Sequence, residues 1–424
     1  MKVRNTKIVA FSVCMLSASI LLLSCLHRPP RVTDFHKEEF SGEITVFEAD
    51  RDKSRRYELR TKGERSTETA TIYVSFADLE RVNHLESGDW VDVSGVLRGN
   101  MLHEAHLWPR LPQGSVTTGP YRTIVLITQS ANRTPRCSNA TMNSAVFTAA
   151  NSVSAYYAEN SYGLVSVSGD VTGPYTIDVG DKCSRGKWAD QADAKATAAG
   201  VNLGAYDNRL YVDPAEGDSL CSAGGLSDDG SPTATPLPGK GRMWVSNKVC
   251  DSPHYLVHEL GHLFGENHAS TGVDEYGDAS SVMGGNSDFP ENADLIPTSP
   301  HSNAPGKISV GWLPASRVQT VTKRGRYRVA FLASASVGIQ ALKIQKAAGK
   351  GDYYLSYRRA VGFDATLRPA YLDKTSVHSW NGRTSAKTFL VGTLGDGQSW
   401  TDGHVTVSQT THDATYAYLT VSFP

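Results

Sequence analysis

The stretch that decides the fold is His258-Glu259-Leu260-Gly261-His262-Leu263-Phe264-Gly265-Glu266-Asn267-His268, entered through Asp251-Ser252-Pro253. Those three residues offer an N-cap acceptor and a proline for the first turn, so a helix is predicted to start there. On that helix His258 and His262 stand four apart, so both imidazoles leave one face and can chelate one ion. Glu259 is offset by one position and is better placed to hold a water than to ligate. Gly265 can take positive φ and end the helix in a left-handed cap. The chain then turns, and His268 can approach the ion from another side. Three imidazoles leave one tetrahedral position open, which marks a catalytic rather than a structural zinc site. The expectation is one zinc ion on His258, His262 and His268, with Glu259 as general base toward a metal-activated water.

With 13 histidines in 424 residues, a His-Glu-x-x-His string arises by chance in roughly one such chain in seventy. Adding Gly265 and His268 at their spacings lowers that to on the order of a few in 100,000. A surface helix with incidental histidines is therefore a poor explanation. Downstream, Ser281-Val282-Met283-Gly284 resembles the Met-turn of metzincin peptidases, whose methionine forms an apolar floor under the histidines.

The string HELGHLFGENH (258–268) with EYGDASSVMG (275–284) most closely resembles the gametolysin family of metzincins. The resemblance runs from about Tyr121 into the C-terminal part, where Tyr353–Arg359 (YYLSYRR) carries a looser match. It implies a zinc endopeptidase made with a pro-region and acting on extracellular protein or glycoprotein. It also implies that the extended run Gly241–Asn247 is an edge strand that pairs with substrate backbone. Two family devices are missing. No cysteine lies between Leu26 and Arg136 to block the zinc, and Met283 is followed by Gly284-Gly285 instead of leading to a tyrosine. Tyr276 could bear on the metal or the transition state, although a packed or solvated loop tyrosine is the commoner case. His254 is predicted near the helix start, away from the ion.

Outward from the motif, the chain divides. Lys2, Arg4 and Lys7 precede an apolar run from Ile8 to Leu23 and then Ser24-Cys25. That is the grammar of a secretory signal over 1–25, too short for a spanning helix. Leu22-Leu23-Ser24-Cys25 resembles a bacterial lipobox, with Cys25 the acylated residue; the alternative is a plain signal peptide. The protein is thus expected to be exported and lipid-anchored at the cell envelope or surface, or otherwise secreted. Residues 26–41 read as a tether. Over 42–110, five strand-like runs with a helical stretch (Ala77–His84) between the third and fourth have the order of an OB-like β-barrel, read as a pro- or accessory domain.

A Pro/Gly-containing linker leads to an α/β region over 121–314. Its strand-like runs Arg122–Gln129, Leu164–Ser168 and Arg209–Val212 alternate with helical spacing at Ala140–Asn160 and Lys187–Ala199. That alternation predicts the mixed sheet of a metzincin catalytic domain. Residues 315–424 hold seven strand-like runs and predict a β-sandwich.

Cys137, Cys183, Cys221 and Cys250 form an even set in an exported chain and imply two disulfides, with three pairings open. Asp218, Asp228 and Asp229 could hold calcium, but their spacing matches no known loop, so solvated acids are the favoured reading. A net charge of −1 gives no reason to expect nucleic acid, and a membrane is reached only through the lipid anchor. A monomer acting on protein or glycoprotein is expected. The competing reading is a surface lipoprotein that binds glycan or protein and keeps a vestigial metal site; the intact Glu259 argues against it.

Overall fold

A computed structural model of the chain describes residues 37–48, 55–62, 69–76, 90–98, 101–108, 117–221, 225–228, 241–272, 274–284, 299–335, 338–346, 351–382 and 386–424. The leader, Cys25, the tether up to residue 36, the Ala77–His84 stretch and Asp229 lie outside these. Among the described residues no helix is long and apolar enough to cross a membrane.

Strands β1 (Lys37–Glu48), β2 (Arg55–Lys62), β3 (Thr69–Phe76), β4 (Trp90–Arg98) and β5 (Met101–Trp108) each pair with two neighbours. The ring runs β1-β2-β3-β5-β4 and closes through antiparallel β1 and β4, with β3 and β5 its one parallel pair.

The second sheet builds the platform for the histidines. It has the order β7-β6-β8-β10-β9, from β6 (Gly119–Gln129), β7 (Val165–Thr176), β8 (Asn208–Val212), β9 (Gly225–Asp228) and β10 (Gly241–Val245). All neighbours are parallel except β9, which runs antiparallel to β10. Because side chains alternate faces along a strand, β6 feeds two cores. Ile124 and Leu126 meet Tyr211, Trp244 and the alanines Ala189, Ala192 and Ala196. Val125 and Ile127 join Leu210, Val212, Met243 and Val245 in the core that also holds Leu256, Leu260 and Phe264.

The helices are α1 (Asn139–Asn143), α2 (Val153–Asn160), α3 (Arg185–Ala198), α4 (Gly217–Leu220), α5 (Pro253–Phe264) and α6 (Ala304–Ser309). The single helix read over Ala140–Asn160 is instead two. After α1 the coil widens over Ser144–Thr148, Ala149 goes extended, and Ser152 restarts the helix by accepting from Ala155 N. A serine able to cap a new helix competes here with helical spacing. Disulfides join Cys137 to Cys250 and Cys183 to Cys221, one of the three open pairings.

Beyond α6 lie two more sheets. One has the order β11-β17-β16-β15-β14-β12 and the other β13-β20-β19-β18. Their strands are β11 (Ala269–Ser270), β12 (Val318–Thr320), β13 (Gly325–Ala330), β14 (Ala341–Gln345), β15 (Asp352–Arg358), β16 (Lys374–Trp380), β17 (Thr388–Leu394), β18 (Ser399–Thr401), β19 (Thr406–His412) and β20 (Tyr416–Ser422). Both sheets contribute to one apolar core containing Leu342, Leu355, Val377, Val407 and Leu419. Three strands go beyond the seven runs. β16 buries Thr375, Ser376 and His378 and so lacks apolar alternation. β18 is very short. β11 is two residues of the histidine-bearing chain that pair with β17.

Candidate metal centre

Helix α5 buries residues around most of its circumference, from His254 to Phe264, so it runs through the core. Leu256, Val257, Leu260 and Phe264 fill that core, and Phe264 packs against the rings of Tyr157 and Tyr121 at 4.7 and 5.0 Å. Pro253 takes the first turn. Ser252 occupies the N-cap position but its side chain makes no capping bond, contrary to the expected acceptor, while Asp251 pairs with Arg136 at 3.2 Å. Gly265 ends the helix with φ 99°, and the amide of Glu266 bonds back to Gly261 O at 3.0 Å. That left-handed turn is open to glycine at little cost.

The turn brings His268 back to His258 and His262, and the ligand atoms of the three lie within 4.8 Å of one another. Each Nδ1 is already committed. His258 Nδ1 bonds Val282 O at 2.9 Å, His262 Nδ1 bonds Glu266 O at 2.9 Å, and His268 Nδ1 bonds Glu275 Oε1 at 2.8 Å. Since these acceptors need a proton on Nδ1, every Nε2 presents a lone pair. The Nε2 atoms of His262 and His268 are 3.1 Å apart. Two lone pairs facing each other that closely repel unless a cation lies between them. Nitrogens at about 2.0–2.1 Å from tetrahedral zinc would stand about 3.3 Å apart. The residues therefore fit a divalent metal. Burial, then the neighbouring imidazoles, depresses the His258 pKa well below its usual value; burial and then His268 bring His262 to about 3. Both are neutral donors at ordinary pH.

Met283 is buried against α5, and a Cβ on Gly261 would lie 2.6 Å from its sulfur. The glycine inside the motif thus makes room for the methionine. Gly284 is tighter still, since a Cβ there would sit 2.3 Å from Asp278 O and 2.5 Å from Ala269 O. Glu259 is buried on α5. Tyr276 is 39% exposed and lays its ring 4.3 Å from that of His268. Burial first, then Glu275 and Glu259, pushes its phenol up to about 12, so it is a neutral hydroxyl beside the histidines. His254 is buried near the helix start, its ring 6.1 Å from that of His258.

Two expectations are corrected. The run Gly241–Asn247 is not an edge, because β10 is flanked by β8 and β9, and β9 is the outer strand. The glycines and aspartates around Gly225–Asp228 hid strand β9. Asp218 is an internal acceptor for Ser246 Oγ, Asn247 Nδ2 and Lys248 N rather than a free loop acid. Sequence reasoning also passed over Glu275, which orients His268; a lone acid seven residues past the third histidine carries no distinct signal.

Known proteins resemble parts of this chain. An autolysin of Chlamydomonas reinhardtii is 29% identical over 171 residues, which is 32% of this chain and 25% of the autolysin. The chain thus spans about a quarter of the length of that curated relative. The crystal structure of metalloproteinase-II from Bacteroides fragilis aligns over 65% of this chain and 90% of its own, with a TM-score of 0.31 and 9% identity. A sequence profile described as gametolysin peptidase M11 matches residues 131–391, well over half of the chain and all of the histidine constellation. The chain is therefore a member of the gametolysin peptidase family M11.

Proposed function

We propose that this protein is an exported zinc endopeptidase of the metzincin type that cleaves extracellular protein or glycoprotein. The observation that carries the reading is the convergence of three Nε2 lone pairs whose Nδ1 atoms are already engaged. Zinc held there would supply Lewis acidity, acidifying a water and polarising the scissile carbonyl. Glu259, one residue from a ligand and buried, takes the proton from the attacking water and returns it to the leaving amine. Tyr276, a neutral phenol at the rim, can donate to the developing oxyanion. The antiparallel strand β9, outermost of its sheet among the described residues, offers its edge to an extended substrate.

The N-terminal ring of strands is read as an OB-like accessory or pro-domain, and the two C-terminal sheets as a β-sandwich. The basic and apolar leader ending at Cys25 supports export with a lipid anchor, and the two disulfides suit an oxidising compartment.

The test is a quenched-peptide assay on the purified chain, with and without chelator, alongside zinc content. Glu259→Ala is expected to keep its zinc and lose turnover by ~10² or more. A Glu259→Ala variant as active as the parent would overturn the assignment.

A further inference from the structure

His268 is the ligand that α5 does not carry, and its position is held from elsewhere. Its carbonyl accepts from Thr388 N at 3.1 Å, and the next two residues, β11, pair in parallel with Thr388 and Phe389 of β17. Its ring is held by Glu275, and Glu275 Oε1 meets Lys387 Nζ at 3.1 Å. Thr388 at the start of β17 and Lys387 just before it thus grip His268 by its main chain and, through one carboxylate, by its imidazole.

The loop behind it is pinned to the same sheet edge. Asp278 Oδ2 accepts from His378 Nε2 on β16 at 2.9 Å, and both side chains are fully buried. Asn303 Nδ2 donates to Asp278 Oδ2 at 3.1 Å and to Thr388 Oγ1 at 2.7 Å. The family match continues to residue 391, so it takes in Lys387 and the start of β17. A catalytic unit ending near residue 314 would omit all of these contacts.

Resting on the zinc reading above, we infer that the β16–β17 edge of the C-terminal sheet is a working part of the metal centre, with Lys387 a positioning residue that fixes His268 through Glu275. The Lys387–Glu275 pair is itself partly exposed, with side-chain exposures of 22% and 46%. Its direct stabilisation of the fold is accordingly small. Its effect falls on the ligand. Carboxylates that orient a metal-bound histidine are commonly worth 10- to 100-fold in metal affinity or activity.

The experiment is a zinc titration against a competing chelator on the full-length wild type, Lys387→Met and Lys387→Arg, together with the melting temperature of each metal-free protein. Lys387→Met is expected to weaken zinc binding about tenfold. Lys387→Arg, which keeps the charge, should recover most of that loss, and the metal-free melting temperatures should agree. Wild-type affinity in Lys387→Met overturns the inference. So does a weakening that follows a lower metal-free melting temperature and is not relieved by Arg. A wild type that binds no zinc would instead sink the peptidase reading itself.

Discussion

The metal centre has two halves built on different principles. Its helical half, His258, Glu259 and His262, is set by i, i+4 spacing on α5 and by the apolar residues that bury that helix. Its loop half, from His268 to Met283, has among its described residues no regular element longer than the two residues of β11. That loop is shaped by close backbone contacts within itself and by β16 and β17, whose partner residues lie a hundred or more positions further along. Local geometry places two of the three histidines, and tertiary contacts place the third. The loop half should therefore be the more sensitive to changes that leave helix propensity alone.

The largest difference should appear between two glycines. Gly284→Ala puts a methyl within 2.5 Å of two backbone oxygens that side-chain rotation cannot relieve. It is expected to cost about 3 kcal/mol in chemical denaturation and to release the metal, and a near-neutral result would mean the loop is looser than described. Next comes Asp278→Asn. Burial pushes the Asp278 carboxyl up, but the charge and hydrogen bond of His378, with bonds from Ser280 and Asn303, outweigh it and hold the group at about 2.

A folded pKa below the unfolded value stabilises above the unfolded pKa and is lost as pH falls through the folded one. Wild type should thus exceed Asp278→Asn by about 2 kcal/mol at neutral pH. The gap should close between pH ~4 and ~2. A gap of constant size across that range contradicts the charge argument. Smallest is Gly265→Ala, which strains one left-handed residue at the helix end, for about 1 kcal/mol in thermal melts. If it exceeded Gly284→Ala, the contrast between the halves would be reversed.

The same contrast explains what was legible in the sequence. His258, Glu259, His262 and Gly265 are fixed by short-range rules, so spacing alone points to their arrangement. Met283 was found only because its turn resembles a known one. Glu275, His378 and Lys387 left no local trace, since their roles depend on a sheet that pairs β11 with a strand far along the chain. Strand β9 was masked by Gly and Asp, residues depleted in strands generally. Strand β16 was masked by polar residues that are buried only because they hydrogen-bond across sheets and loops, as His378 does to Asp278. Where the fold spends its buried polar groups, hydropathy patterning loses its meaning.

The central claim concerns convergence on a single ion, and a zinc-edge X-ray absorption spectrum of the purified full chain tests it most directly. The account predicts three imidazole nitrogens at about 2.0–2.1 Å and one oxygen around the metal. Fewer than three imidazoles, or a fourth protein ligand in place of the oxygen, would contradict it.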